Sequence, residues 1–375
     1  MNIIFTEVIT MDNFFEIFSN FAVEDKAVKF EPITAGLINH TYAVYVENEE
    51  KPKYVLQKIN TNIFKNADGL IENIKGVCDH VRAKIIANGG DVNREVLKLI
   101  PIKSGANYLN TEETGAWRLY NFITDATAHQ SAAGKPGILA SAAEAFGTYQ
   151  NLLSDYPAET LHETIPNFHN TVSRYNDFMT ALENDVAGRA CECAYEIEEI
   201  KKRESLAHVV VDALANGEIP LRVTHNDTKL NNVMIDDNTN KGVCVIDLDT
   251  VMPGSLLYDF GDSIRFAACN SAEDEEDLSK VYHRLDLFEE YVSGFLKGVG
   301  NNITEKEIEL LPFSAFLLTY ELGLRFLGDY LNGDVYFQTR RDKHNLIRAR
   351  AQLKLALDIE SKLDQMTEIV KKYTK

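Results

Sequence analysis

The chain has 375 residues, 45% of them apolar and 25% charged, which is typical of a soluble globular protein large enough for two domains. Its formal net charge of −19 argues against nucleic acid or an anionic membrane as a partner, since both attract basic surfaces. The five cysteines lack metal-ligand spacing, and the first residues lack the basic segment of a secretory signal. We therefore expect a cytoplasmic protein with reduced thiols and no obligate protein partner.

The first third of the chain predicts a small, mostly antiparallel sheet. Apolar residues at helical spacing predict a short helix over residues 11–23 and a longer one over 67–88. Runs that alternate or are rich in β-branched and aromatic residues predict strands at 27–33, 41–47, 53–59, 94–102 and 116–123.

From residue 131 onward, helical spacing of apolar residues dominates. It predicts helices over 138–153, 175–182, 194–215, 258–268, 278–296, 305–331 and 346–373. The acidic run 271–280 is predicted to be the first turn of a helix capped by Asn270 or Ser271, because acids favour a helix N-terminus.

These patterns together predict an α+β fold with two lobes. A small antiparallel-sheet lobe spans residues 1–123, with a hinge near 117–123, and a large, mainly helical lobe spans 124–375. We expect a small-molecule site in the cleft between such lobes.

One stretch of the helical part, residues 223–249, has strand-like character. Its turn-rich segment 236–242 predicts a hairpin, which would bring the polar loop before it beside the Ile-Asp-Leu-Asp end. The loop carries His225, Asp227 and Asn232, and the end carries Asp247 and Asp249. Each residue alone is typical of turns, but the combination H-x-D-x₄-N followed by I-D-x-D indicates an active site.

The chemistry of these residue types fits phosphoryl transfer. Asp227 is a candidate base for a substrate hydroxyl, and Asn232 and Asp247 offer hard oxygen ligands of the kind that Mg²⁺ takes together with phosphate oxygens. Asp249 lies two residues from Asp247 and so shares its strand face. It is either a second metal ligand or a group that orients a neighbour.

The motif His225-Asn-Asp227-x₄-Asn232 with Ile246-Asp247 resembles the aminoglycoside phosphotransferase and choline kinase superfamily. Longer blocks, among them LRVTHNDTKLNN, VIDLDTVMPGSLLYDFGDSIRF and ELGLRFLGDYLNGDVYF, are similar to bacterial N-acetylhexosamine 1-kinases. The similarity runs from about residue 20 to the C-terminus.

This resemblance implies a kinase-like fold, ATP as co-substrate, Mg²⁺, and phosphorylation of the anomeric hydroxyl of N-acetylglucosamine or N-acetylgalactosamine. Asp227 matches the base, and Asn232 and Asp247 match the metal ligands, with Asp249 as a further candidate. The nucleotide-binding positions implied are Gly36, Asn39, Thr41, Gln57, Tyr120 and Phe122. Arg325 and Tyr336 match sugar contacts, and His225 and Asp262 are expected to support the catalytic loop.

One position departs from the family pattern. The third strand of these kinases commonly presents a lysine or arginine to the phosphates, but this chain has Gln57 there, followed by Lys58. Either Gln57 hydrogen-bonds a phosphate, or the strand bulges to deliver Lys58, which otherwise points to the opposite face.

Other interpretations remain open at this point. The acceptor is alternatively an aminoglycoside, choline or ethanolamine, or homoserine, and loss of the strand lysine makes a nucleotide-binding pseudokinase conceivable. Spacing alone also allows Arg325 to pair with Asp329 at i, i+4, with Tyr330 in the core.

Overall fold

The computed structural model describes residues 11–34 and 38–374. Its strands are β1 Ala27–Ile33, β2 His40–Val46, β3 Tyr54–Lys58, β4 Leu99–Ile100, β5 Leu109–Thr111, β6 Gly115–Asn121, β7 Ala126–Ala128, β8 Arg222–Thr224, β9 Val233–Asp236, β10 Gly242–Val245 and β11 Met252–Gly254. Its α-helices are α1 Met11–Ser19, α2 Ala67–Ala87, α3 Ile138–Leu152, α4 Thr171–Asn184, α5 Ala194–Lys201, α6 His208–Ala215, α7 Leu256–Ala267, α8 Leu285–Val299, α9 Glu305–Leu331, α10 His344–Glu360 and α11 Leu363–Tyr373.

The small lobe is an antiparallel sheet covered on both faces. Its strands follow the order β1-β2-β3-β6-β4, and β5 also pairs with β6. Helix α1 packs aromatic side chains against one face, where Phe14 meets Phe30 and Trp117. Helix α2 covers the other face with residues such as Ile74 and Val77, in a core that continues into the helical lobe. The predicted α+β fold with two lobes is therefore confirmed.

The large lobe is built around the central helix α9. This helix is long and apolar enough to cross a membrane, yet 83% of its most apolar 18-residue window is buried inside the protein, as expected of a core helix. A capping box starts it, because Thr304 and Glu307 exchange side-chain and backbone hydrogen bonds. Helices α4, α7 and α10 pack around it.

Several predicted elements are shorter or broken in the structure. The predicted helix over 194–215 is two helices, α5 and α6, joined by a 3₁₀ turn, and the predicted helix over 346–373 is α10 followed by α11. The predicted strand over 94–102 keeps regular pairing only at Leu99–Ile100, since Arg94 turns away to bind Asp236 at 2.8 Å.

The prediction that the acidic run 271–280 begins a helix is wrong. Helix α8 begins only at Leu285, and the acidic side chains instead pair with basic residues of other segments. Glu273 lies 3.2 Å from Arg265, and Asp274 lies 3.3 Å from Arg341. These tertiary ion pairs hold the run as a loop.

Helix α7 lies unusually close to α9. A Cβ atom added at Gly261 would lie 2.3 Å from the backbone oxygen of Ser314. No larger residue fits there without moving one helix, because packed backbones do not yield.

We expect Gly261→Ala to destabilise the protein by about 1–3 kcal/mol, since the added methyl group must separate α7 from α9. Gly323→Ala in α9 is the matched control, because a Cβ there meets its nearest atoms at an ordinary 3.7 Å. Urea unfolding measures both. Equal stability of the two variants would contradict the close helix contact.

Candidate active site

The predicted hairpin is present and places the catalytic candidates together. Strands β9 and β10 pair antiparallel, and the side chain of Asp236 caps the turn by accepting the backbone N–H of Asn238 and Thr239 at 3.0 and 2.8 Å. The hairpin returns the chain to the loop, so that the N–H of Ile246 donates to the carbonyl oxygen of Asn232 at 2.9 Å. Asp247 is therefore next to a residue bonded to Asn232.

Asp227 is held from two sides and stays open to the cleft. Asn232 donates through Nδ2 to the Asp227 carbonyl oxygen at 2.7 Å and to its carboxylate oxygen Oδ2 at 3.2 Å. The other carboxylate oxygen lies 2.6 Å from Nζ of Lys229, and the Asp227 side chain is 28% exposed. A carboxylate in this state can accept a proton from a bound hydroxyl group.

Lys229 is a functional candidate that we did not predict. Burial alone would lower the pKa of its ammonium group, but the carboxylates of Asp227 and Asp262 raise it above its usual value. The group therefore stays charged beside the candidate base. Its position two residues after Asp227 in the motif was the available sequence signal.

His225 connects the two catalytic segments. It is fully buried, its Nε2 lies 2.9 Å from the carbonyl oxygen of Ile246, and its Nδ1 accepts the backbone N–H of Asp227 at 3.3 Å. The bond to a carbonyl oxygen requires the proton on Nε2, so the ring is neutral with Nδ1 as acceptor. These contacts agree with a supporting role and leave His225 no proton-accepting atom for substrate.

Two carboxylates of α7 fix the loop backbone. Asp262 accepts the N–H of Thr228 at 3.2 Å and binds Arg265 at 2.7 Å. Burial works to raise its pKa, but the charges of Arg265 and Lys229 hold that pKa below the usual value. Asp259, which we did not predict, accepts the N–H groups of His225 and Asn226 at 2.9 and 2.7 Å. A buried aspartate one helical turn before Asp262 was its only sequence signal.

Asn232 and Asp247 have the donor chemistry that Mg²⁺ requires. The amide nitrogen of Asn232 is used by Asp227, which leaves its carbonyl oxygen Oδ1 for another partner. Asp247 is exposed to the cleft, and among the described residues no ion pair or hydrogen bond engages its carboxylate. Two hard oxygen donors beside phosphate oxygens match the usual protein share of magnesium coordination.

The backbone and charge of Asp247 are both unfavourable in the free protein. Its φ of 60° lies in the left-handed region, which costs a residue with a Cβ. Although the side chain is exposed at the cleft, the protein mass around it and the carboxylates of Asp249 and Asp227 raise its pKa to about 6. Such strain and like charge are typical of a functional position.

The side chain of Asp249 is oriented away from Asn232 and Asp247. It is buried, its Oδ1 lies 2.5 Å from Nη1 of Arg118, and its Oδ2 accepts Nδ2 of Asn39 at 2.5 Å. Both oxygens are thus engaged by the small lobe. Arg118 was not predicted, although a charged residue in the apolar run of β6 is a sequence signal for a buried ion pair.

The predicted nucleotide-binding residues fall in two groups. Asn39, Thr41 and Gln57 share the cleft side, where Gln57 donates to the hydroxyl oxygen of Thr41 at 2.9 Å. Tyr120 is buried behind Arg118, whose guanidinium lies 5.2 Å from the ring centroid, and Phe122 is half-buried just after β6.

Two further expectations for the small lobe concern Gly36 and the predicted hinge. Gly36 lies outside the described residues. In the predicted hinge, residues 117–121 belong to β6, and Trp117 is fully buried under α1. The chain leaves the sheet after residue 121, and a lobe boundary at 123 stays a prediction.

The strand bulge offered as one way to deliver Lys58 does not occur. Strand β3 pairs with β2 and β6 in unbroken register over residues 54–58. Lys58 points to the face covered by α1, where its Nζ lies 5.7 Å from the ring centroid of Trp117. The cleft side of β3 therefore presents Gln57.

The predicted sugar contacts lie in an aromatic cluster at the C-terminal part of α9. The guanidinium of Arg325 lies within 5.5–5.9 Å of the ring centroids of Phe168, Tyr336 and Phe337. Burial and the nearby charge of Arg174 lower the pKa of Arg325. The adjacent His169 lies 3.3 Å from the carbonyl oxygen of Asn226, which connects the cluster to the residue before Asp227.

The alternative i, i+4 pair of Arg325 with Asp329 does not form. Asp329 instead accepts the backbone N–H groups of Val335, Tyr336 and Phe337 at 2.8–3.0 Å and so fixes the segment that carries both rings. Tyr330 is 1% exposed, which confirms the core position expected for it.

A two-lobe fold with two aspartates and an asparagine gathered in one loop and the hairpin after it is typical of kinase-like phosphotransferases. The family model "APH: Phosphotransferase enzyme family" matches residues 29–291, well over half of the chain. The chain belongs to this family and is a small-molecule phosphotransferase that transfers phosphate to an alcohol group.

Solved structures share this fold at low sequence identity. An aminoglycoside phosphotransferase from Alicyclobacillus acidocaldarius has a TM-score of 0.60 at 12% identity, covering 95% of this chain and 96% of that one. A microcompartment-associated aminopropanol kinase has 0.58 at 14%, covering 96% and 99%. A spectinomycin phosphotransferase in complex with ADP and spectinomycin has 0.57 at 12%, covering 94% and 98%.

We expect Asp259→Asn to destabilise the protein by about 1.5–3 kcal/mol, because an amide cannot replace both oxygens that accept buried N–H groups. Activity should fall further than stability explains, since the same bonds hold the loop around Asp227. Urea unfolding and steady-state kinetics measure the two effects. Asp237→Asn, in the exposed part of the hairpin turn, is the control and should change neither. A variant of Asp259 as stable and active as that control would contradict the role of Asp259.

Proposed function

We propose that this protein is an ATP- and Mg²⁺-dependent kinase that phosphorylates the anomeric hydroxyl of an N-acetylhexosamine, N-acetylglucosamine or N-acetylgalactosamine, in the cytoplasm. The observation that carries the proposal is the position of the Asp227 carboxylate, which lies between Lys229 and Asn232 and is partly exposed. The chain belongs to a family of phosphotransferases, in which such a carboxylate can act on an acceptor hydroxyl. The aromatic cluster around Arg325 is the reason for proposing a neutral sugar as the acceptor.

In the proposed reaction, the acceptor oxygen attacks the γ-phosphorus of ATP while the bond to the ADP oxygen breaks. Asp227 accepts the proton of the attacking hydroxyl, and Lys229 stabilises negative charge beside it. Asn232 and Asp247 would hold Mg²⁺, which neutralises charge on the phosphate oxygens when bound. His225, Asp259 and Asp262 keep the loop in place through the backbone contacts described above.

The charge of the acceptor region favours a neutral substrate. Aromatic clusters that recognise quaternary or protonated amines leave their centre free for the ligand cation. In this protein the guanidinium of Arg325 occupies that position, with Arg174 nearby. The carboxylate of Glu321 is also near, but its two oxygens are already bound by His169 and Thr171. A cationic aminoglycoside, choline or ethanolamine would be repelled, whereas sugar hydroxyls and an N-acetyl carbonyl can accept from a guanidinium and stack on a ring.

Exposed aromatic surface is also available for a sugar. Tyr336 is 66% exposed, and its backbone is fixed by Asp329. An exposed ring on a fixed backbone is a platform that needs little ordering on binding. This arrangement supports the sugar over homoserine, which offers no face for stacking.

The acceptor is tested by ADP release with Mg-ATP over a panel of N-acetylhexosamines, plain hexoses, choline, homoserine and kanamycin. We expect turnover with the N-acetyl sugars only. Turnover with another acceptor alone would replace the proposed substrate, and nucleotide binding without any turnover would favour a pseudokinase.

We expect Asp227→Asn to lower kcat by about 100- to 10,000-fold, because the amide cannot accept the proton of the hydroxyl. Affinity for Mg-ADP, measured by calorimetry, should stay near that of the wild type. The exposed Asp237→Asn is again the control. Retention of most turnover by Asp227→Asn would rule out Asp227 as the base.

We expect Arg325→Met to raise KM for the sugar by about tenfold or more, with KM for ATP unchanged, since a charged hydrogen bond to the acceptor is lost. Arg340→Met, at an exposed arginine of the same C-terminal region, is the matched control. An unchanged KM for the sugar would remove Arg325 from the acceptor site.

A further inference from the structure

The small lobe lacks a charged contact that protein kinases use. Those enzymes need an ion pair between a lysine of the third strand and a glutamate of the following helix. Here β3 presents Gln57 to the cleft, and Lys58 lies on the opposite face against Trp117. Glu72 of α2 instead contacts Nε2 of His162 at 2.7 Å.

A row of side chains across three strands leads from Gln57 to another cation. Thr41, Gln57 and Arg118 are register neighbours on β2, β3 and β6. Gln57 donates to the Thr41 hydroxyl at 2.9 Å and accepts Nε of Arg118 at 3.1 Å. The amide thus orients the arginine on the next strand.

Arg118 reaches the other lobe through Asp249. Its Nη1 lies 2.5 Å from Oδ1 of Asp249, and the two side chains are only 1% and 5% exposed. The second oxygen of Asp249 accepts Nδ2 of Asn39 at 2.5 Å, and Oδ1 of Asn39 accepts the N–H of Asn60 at 3.0 Å. One buried carboxylate therefore binds both the sheet and the segment before β2.

We propose that Arg118 takes the place of the strand lysine and that its ion pair with Asp249 is a positioning contact between the lobes. The pair sets the separation between the segment around Asn39 and Asp247, which lies two residues before Asp249. Asp249 is then a positioning residue and not a metal ligand, because one oxygen accepts from Asn39 and the other lies in ion-pair contact with Arg118. The inference rests on the proposed function only in requiring that the cleft binds a nucleotide.

The chemistry of the pair explains why arginine is needed. A guanidinium has several donors in a fixed plane, so it can bind Gln57 and Asp249 at once, which a lysine ammonium group at the end of a flexible stem does poorly. Removing one partner leaves a buried charge without compensation, which is far less favourable than removing both.

Nucleotide binding without acceptor tests the proposal. Calorimetry with Mg-ADP, and with ADP in the presence of EDTA, is measured for the wild type, Arg118→Met, Arg118→Lys, Asp249→Asn and the double variant Arg118→Met/Asp249→Asn. The control is Arg203→Met, which removes an arginine that binds Glu360 with two hydrogen bonds of 3.0 and 2.6 Å among the helices of the large lobe.

We expect Arg118→Met to weaken Mg-ADP binding by about tenfold or more, with a smaller loss for Arg118→Lys. Arg203→Met should lower the melting temperature and bind like the wild type. The loss in the double variant should be smaller than the product of the single losses by about fivefold or more. A further double variant, Gln57→Lys/Arg118→Met, returns a cation to the cleft side of β3. It should bind Mg-ADP more tightly than Arg118→Met alone.

Three results would overturn the proposal. One is Arg118→Met binding nucleotide as well as Arg203→Met, which would make Arg118 a stability residue only. Another is single losses that multiply in the double variant, since the two residues would then act independently. The third is an Asp249→Asn variant that loses Mg-ADP affinity but keeps affinity for metal-free ADP, as a metal ligand would. If Arg118→Met does not fold, the Mg-ADP affinities of Arg118→Lys and Asp249→Asn are compared with that of Arg203→Met instead.

The outcome of the acceptor assay is independent of the outcome of the nucleotide-binding test. A wild type that binds Mg-ADP but phosphorylates no N-acetylhexosamine refutes the proposed substrate and leaves the comparison of variants intact. A wild type that binds no nucleotide overturns both.

Discussion

The carboxylate of Asp259 holds the backbone on which the rest of the site depends. Its two oxygens accept the N–H groups of His225 and Asn226, the residues directly before Asp227. A loop has little stiffness of its own, so its geometry must come from a rigid element. Helix α7 supplies that rigidity, because the close approach at Gly261 seats it against the central helix α9. The same central helix carries Arg325, so the loop around Asp227 and the aromatic cluster around Arg325 share one support.

The segment that ends in Asp247 is coupled to the loop around Asp227 by the backbone of Ile246. Its N–H bonds to Asn232 and its carbonyl oxygen accepts from His225, so the segment that ends in Asp247 cannot shift without the loop. Asp247 then bears the unfavourable conformation and like charge that the surroundings impose. Such strain is typical of functional positions, and Asp247 is the proposed oxygen ligand of the metal.

The fold defines the reaction more closely than the acceptor. Structures with the same fold act on chemically different alcohols, as the names of the aminopropanol kinase and the spectinomycin phosphotransferase state. Acceptor choice must therefore be argued from the side chains near Asp227. We propose that Arg325 favours a neutral, hydrogen-bonding acceptor, because a cation inside an aromatic cluster would repel an amine.

The sequence by itself determined the elements with strong periodicity and the local motif chemistry. Strand β1 and helix α9 have the predicted bounds, and the hairpin that returns the chain to Asn232 follows from its turn residues. Only the tertiary structure decided where the predicted helix over 194–215 breaks, why the acidic run 271–280 is a loop, and that Asp249 faces Arg118. The physical reason is range: periodicity and capping act within a few residues, whereas these outcomes depend on charges and packing that meet only when distant segments fold together.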